Sequence, residues 1–396
     1  MTAFLRWLVG GLCVAAATAC GSGEGSKQAP GAVAGSGGSS SGAASSDGGD
    51  PSSAGSDSDP AAGRPYSLLP HELYPFVALE LPNQDVFLYG GKVTRGSLEY
   101  PRTAHLYSPS ADSFRELDAD SSVTKSASDI FAFVTPDGHV LLVEDQTGAE
   151  LTARRYDLSA DEWTELPPAA PAGILDGAVQ LPNGDVLVLS LKTAHRIAHD
   201  TGVWQPVSAG LAPPTWGAVA TLADGRVLSV SLAAGPPNLF DPESNTWSPV
   251  AAPRIARRDA SLIGLADGRA LLVGGILDTD DRALRATVQE TELYDPETDE
   301  WEDGPRLPSP QTTPTLTLLD GDVIAWGGLS FPCDSAIPCG GRAVTRIDVA
   351  AGVAVALPEM SAPGMPFPIA SAMGDYLVFL SSSYHRYSLE SGASKP

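Results

Sequence analysis

The chain is short of basic residues, cysteine, histidine and methionine. It has 24 Lys and Arg against 48 Asp and Glu, a net charge of −24, with six His, four Cys and four Met in 396 residues. An acidic surface without a basic cluster is repelled by nucleic acid and by anionic lipid, so neither is an expected partner. Only one long apolar run exists, residues 7–19. It matches the core of a signal peptide and is too short to span a bilayer as a helix. No stretch of helical period exceeds two turns, which argues against a helical domain. Gly-x-Ser-x-Gly, P-loop and His-Glu-x-x-His patterns are absent too, so the common sequence signatures of hydrolase, nucleotide and zinc-protease sites are missing.

What is present is a repeat. Seven times an apolar strand meets an Asp/Asn-Gly type of turn and a second apolar strand. The second strands open at Val86, Val140, Val186, Val227, Ala270, Val323 and Leu377, spaced 41 to 54 residues apart. Asp137-Gly138, Asn183-Gly184, Asp224-Gly225, Asp267-Gly268 and Asp320-Gly321 supply the positive φ of two-residue hairpin turns. Strands such as residues 186–189 are apolar throughout and suit burial on both faces. A third strand follows with Tyr107, Tyr156, Phe240, Tyr294 or Ile347 near its end, and then Phe114, Trp163, Trp204, Trp247 or Trp301. Diglycines close the second strand at Gly90-Gly91, Gly274-Gly275 and Gly327-Gly328.

Over residues 66–391 this unit resembles the kelch motif: a diglycine, a later Tyr and a Trp in the fourth strand. The resemblance implies an all-β, seven-bladed β-propeller at residues 64–391, because single blades cannot bury both apolar faces and must stack around an axis. The last unit ends without a Trp, while residues 66–70 repeat the aromatic-x-x-Leu-Pro spacing of residues 163–167. The N-terminal strand is therefore expected to complete the last blade and close the ring, with residues 392–396 left as a tail.

The N-terminus indicates location. Residues 1–19 end Ala17-Thr18-Ala19 before Cys20, which resembles a bacterial lipobox lacking its usual Leu. The resemblance implies cleavage and lipidation (palmitate) at Cys20, and the lack of a following Asp suggests outer-membrane sorting. Residues 21–63 are almost wholly Gly, Ser, Ala, Asp and Pro, a composition that stays disordered and tethers the propeller. Its root-mean-square reach is on the order of 35–40 Å. The expected address is the bacterial envelope, facing either the periplasm or the surface.

Cys333 and Cys339 bound a Pro-containing exported segment and are expected to pair as a disulfide. No metal site is expected. Asp278, Asp280 and Asp281 read as a solvated loop tip rather than a Ca²⁺ loop. The resemblance extends to galactose oxidase, whose copper-radical chemistry needs two His, Tyr ligands and a Cys joined to Tyr. The only spare cysteines are better explained by each other, and His195 and His199 would lie some 13 Å apart along a strand. Hence no catalytic residue and no cofactor is expected.

Extra length concentrates between the second and third strands of units one, five and six. The inner strands begin at the same face, around Tyr74, Lys125, Asp176, Trp216, Arg258, Asp259 and Gln311. This mixed polar and aromatic set suits a glycan or protein surface. The expectation is a monomeric binding or scaffolding module for an envelope or extracellular protein or glycan. An exported enzyme acting on carbohydrate, and a purely structural envelope protein, are the alternatives.

Overall fold

The computed structural model describes residues 67–69, 72–94, 97–117, 130–146, 150–167, 175–190, 193–207, 217–230, 236–277, 286–330, 339–360, 367–370, 376–379, 383–387 and 394–395. Among them every regular element is a strand, and the architecture is an all-β propeller. Six sheets have four antiparallel strands in simple up-and-down order. In chain order their second strands are Val86–Thr94, Val140–Gln146, Val186–Ser190, Val227–Val230, Ala270–Val273 and Asp322–Trp326; we call the sheets first to sixth. The terminal sheet differs. Phe367–Ala370, Tyr376–Phe379 and Ser383–Tyr387 form its body, and two short segments share the outer edge. Ser67–Leu68 pairs with Ser383 and Tyr384, while Ser394–Lys395 pairs with Arg386 and Tyr387. Residues of the expected C-terminal tail thus join the sheet, and Tyr66 lies outside the described residues.

Neighbouring first strands lie side by side, which places them innermost. Phe367–Ala370 lies beside both Thr315–Leu319 and Glu72–Glu80. Sheets packed on both sides bury their middle strands: every residue of Val186–Ser190 and of Asp322–Trp326 is buried. That explains why these runs lack the alternation of a one-faced sheet. Two outer strands keep a buried ring, Trp247 and Trp301, between exposed neighbours; Phe114, Trp163 and Trp204 are partly buried at the matching places.

The turns correct one expectation. Thr135 N donates to His139 O and Gly138 N to Thr135 O, 2.9 and 2.8 Å. Gly138, Gly184, Gly225 and Gly268 have φ of 84 to 95°; among the described residues, their Asp or Asn neighbours stay at negative φ. These are three-residue loops with a left-handed third residue, a type I turn followed by a bulge. Gln84, φ 69°, fills the glycine position in the first sheet. Asp320 and Gly321 are both left-handed, φ 50 and 93°, so the sixth sheet has the two-residue turn.

A second turn repeats with fixed spacing. Tyr107, Tyr156, Ile197, Phe240, Tyr294 and Ile347 pair across strands with Phe114, Trp163, Trp204, Trp247, Trp301 and Ala354. Five residues after each comes a left-handed residue: Asp112, Asp161, Gly202, Asn245, Asp299 or Gly352. The Asp after the aromatic caps this turn. Asp157, Asp241 and Asp295 accept backbone N–H bonds of 2.8 Å from Ser159, Glu243 and Glu297. The Tyr/Phe-Asp sequence is therefore a folding signal.

Candidate functional site

The face with long connections is built by strands that continue past the sheets. In the fifth sheet the second strand stops at Gly274-Gly275, φ 66 and 105°, and Ile276–Leu277 then pairs with Arg257–Arg258. In the sixth it stops at Gly327-Gly328, φ 58 and 89°, and Leu329–Ser330 pairs with Cys339–Gly340. In the first sheet the pairing breaks register between Gly90 and Lys92 and resumes toward Thr94↔Ser97. The glycines are required by packing. A side chain on Gly274 would run into Gln311 O, and one on Gly328 into Thr312 O, at 2.5 Å in the second case. Gly275 N donates to Gln311 O at 2.9 Å. Only a residue without Cβ admits the neighbouring backbone so closely.

Three of the sequence candidates meet at this fifth–sixth junction. Asp259 is buried and left-handed, φ 55°. Its carbonyl accepts from Thr313 N and Thr312 Oγ1, each at 2.8 Å. Its carboxylate lies 3.8 Å from Arg258 Nε. Thr313, at the matching place in the sixth sheet, has φ 49°, a costly conformation for a β-branched residue. Gln311 is buried; its amide donates to Gly327 O at 3.2 Å and accepts from Thr345 Oγ1 at 3.4 Å. Arg258 is half-buried, with about a quarter of its side chain open. Tyr74 and Asp176 each fall within a register break of an inner strand, between Leu73 and Phe76 and between Leu175 and Gly177. Lys125 and Trp216 lie outside the described residues, as do Cys20 and Cys333 with the expected disulfide.

Sequence reading passed over the most buried charges. Arg154 donates to Glu144 at 2.5 Å within the second sheet, both side chains inaccessible. In the fifth sheet Arg257 binds Glu292, equally buried, and also Gly274 O at 3.1 Å. Glu292 accepts from Arg254 N at 2.6 Å as well. Burial pushes the Arg257 guanidinium down, and the Glu292 carboxylate opposes the shift. The signal was in the repeat. Two residues before each aromatic or Ile stands a buried polar residue: His105, Arg154, His195, Asn238, Glu292 and Thr345. His195 and His199 do not converge. His195 is in the strand Ala194–Ile197, while His199 Nδ1 sits 2.9 Å from Asp185. Among the described residues no group of three or more His, Cys, Asp and Glu is placed to hold a metal ion.

No known protein family matches the chain, and no curated protein does. Solved structures do match in fold. Virginiamycin B lyase from Staphylococcus aureus has a TM-score of 0.58 at 12% identity, covering 81% of this chain and 96% of that one. A fungal alcohol oxidase of the AA5 family, in complex with copper, has a TM-score of 0.60 at 12% identity, covering 82% and 73%. A catalytically inactive variant of the lyase with quinupristin scores 0.58 at 12% identity over 80% and 96%. At this identity the likeness shows a shared propeller fold.

Proposed function

We propose that this chain is a seven-bladed, kelch-type propeller, exported and lipid-anchored through Cys20 at the bacterial outer membrane. It acts as a recognition or scaffolding module for an envelope protein or glycan. The terminal sheet serves as the seventh blade, and its outer edge, shared by Ser67–Leu68 and Ser394–Lys395, ties the two ends of the chain together. The observation that carries the binding reading is the raised rim. Ile276–Leu277 with Arg257–Arg258, and Leu329–Ser330 with Cys339–Gly340, are paired extensions beyond the four-stranded bodies on one face. A rigid rim presents side chains with little ordering cost on binding. Arg258, Trp216, Lys125, Tyr74 and Asp176 are the contact candidates; Asp259 and Gln311 set the backbone beneath them. A Cys333–Cys339 disulfide would stiffen the sixth-sheet connection.

The test is retention of envelope material by the full chain beside an Arg258→Ala/Trp216→Ala variant with the same melting temperature. Retention by the native chain alone supports the reading. Equal retention moves the site elsewhere, and none leaves the module without a partner. A second reading, an exported enzyme, draws on the lyase and the alcohol oxidase among the structural neighbours. Turnover of an exported carbohydrate, lost in the same variant, would replace the binding reading.

A further inference from the structure

The outer strands of five sheets are protected against pairing. Ser113–Glu116 carries Arg115 and Glu116, Glu162–Glu165 ends in acids, Trp204–Pro206 and Thr246–Pro249 end in proline, and Glu300–Asp303 holds three acids. Charges and prolines on an edge disfavour addition of another strand. The sixth sheet has neither. Its outer strand Val353–Leu357 reads Val-Ala-Val-Ala-Leu. Among the described residues it pairs only with Val344–Asp348, so its other edge carries no strand. Val353 and Val355 are 49% and 54% exposed, at positions that hold Glu300 and Glu302 in the fifth sheet. They are the two most exposed large hydrophobic residues among those described.

We propose that this edge is a two-fold contact between two copies of the chain, the strand adding antiparallel to itself about Val355. The strand is symmetric in side-chain size about that residue. In antiparallel register Val353 faces Leu357, Ala354 faces Ala356, and Val355 faces its own copy. Residues 353, 355 and 357 share one face, so the two-fold brings together the four exposed valines of the two copies, beside a Leu357 in each that is partly buried against its own core. The strand is uncharged in a chain of net charge −24. Set against its own copy, the strand itself opposes no like charges. The Gly- and Ser-rich residues 21–63, with Val33 as their one large aliphatic, lack the side chains to cover it. One five-residue strand is a small contact, so the dimer is weak. Screening of the acidic bodies makes it tighter at higher salt.

Sedimentation velocity of the full chain over rising protein concentration, at low and high NaCl, reads the equilibrium. The expected result is a monomer–dimer exchange shifted toward dimer by salt. Val355→Lys places two ammonium groups face to face and weakens association by at least about tenfold. Thr164→Lys, an exposed outer-strand position of the second sheet, leaves it unchanged. Both sites are exposed, so equal melting temperatures verify intact folds. Val355→Cys adds a second readout, an oxidation-dependent covalent dimer absent from the parent chain. A monomer at every concentration and salt, or a Val355→Lys chain that associates as well as the parent, overturns the proposal.

Discussion

Tyr294 Oη donates to Asp299 Oδ1 at 3.0 Å, spanning a turn in which Asp299 is left-handed at φ 55°. Tyr107 and Asp112 repeat the bond at 2.6 Å, and Tyr156 reaches Asp161 in the same way. The aromatic ring packs between sheets while its hydroxyl holds an unfavourable backbone in place. Tyr294→Phe should therefore cost about 1 kcal/mol in chemical denaturation. Asp299→Ala should be about 1 kcal/mol worse than Asp299→Gly, because glycine accepts the positive φ. Equal losses would remove the backbone term.

Gly274→Ala should destabilise by on the order of 3 kcal/mol, since the added methyl meets the Gln311 carbonyl of the next sheet. Gly268 also has positive φ, 95°, but opens to empty space. Gly268→Ala should cost only about 1 kcal/mol. Urea midpoints of the two variants separate crowding from conformation.

Breaking the Arg154–Glu144 pair on one side, as Arg154→Met or Glu144→Leu, should cost about 3–5 kcal/mol by stranding a buried charge. The double variant should recover most of that loss. A strictly additive double variant would show that the two charges are held by separate partners.

Acid should act in two steps. Burial alone would raise the Asp185 carboxyl, but bonds from His199, Asn183 and Arg196 overcome it and hold it down to about 2. Its ordinary value is 3.8. This contribution is complete above pH 3.8 and is lost as pH falls toward 2. His195 is pushed below its ordinary 6.5 by burial, beside Trp204 and opposite Val188 and Pro206. Protonation of the unfolded chain thus begins to erode stability below pH 6.5. Asp185→Asn should flatten the melting curve only below about pH 4, and His195→Gln only between pH 6.5 and the lower folded value.

Removing the residues before Glu72 should lower the melting temperature by several degrees, because Ser67–Leu68 covers the edge of the terminal sheet and Leu69 is buried against the first. An unchanged melting temperature would show that Ser394–Lys395 alone protects that edge.

Much of the architecture was legible because it is local and repeated. Hairpin turns, buried middle strands and the aromatic pair seven residues apart each need only a short window of sequence. Their recurrence turned weak signals into a propeller. The pairing of Ser67–Leu68 with the last sheet could be anticipated from the repeated spacing at residues 66–70. The turn type was misread because Asp-Gly suits both a two-residue loop and a type I turn with a bulge. The count of backbone bonds decides between them.

The candidate site was less legible. Counting from the turns names Arg258, Asp259 and Gln311, which the fold brings to one junction, but does not tell a presented side chain from one holding the backbone. Arg257 and Glu292 lie 35 residues apart in the chain and are joined only by folding. The sequence by itself determined the repeat, its strands, its acidic surface and an apolar, uncharged stretch at Val353–Leu357, all consequences of local composition and period. The tertiary structure decided which carbonyl presses on which glycine, which charges are buried together, and that this apolar strand is an outer strand paired, among the described residues, on one side alone. Those depend on how one sheet sits against the next, a relation that no short window of sequence contains.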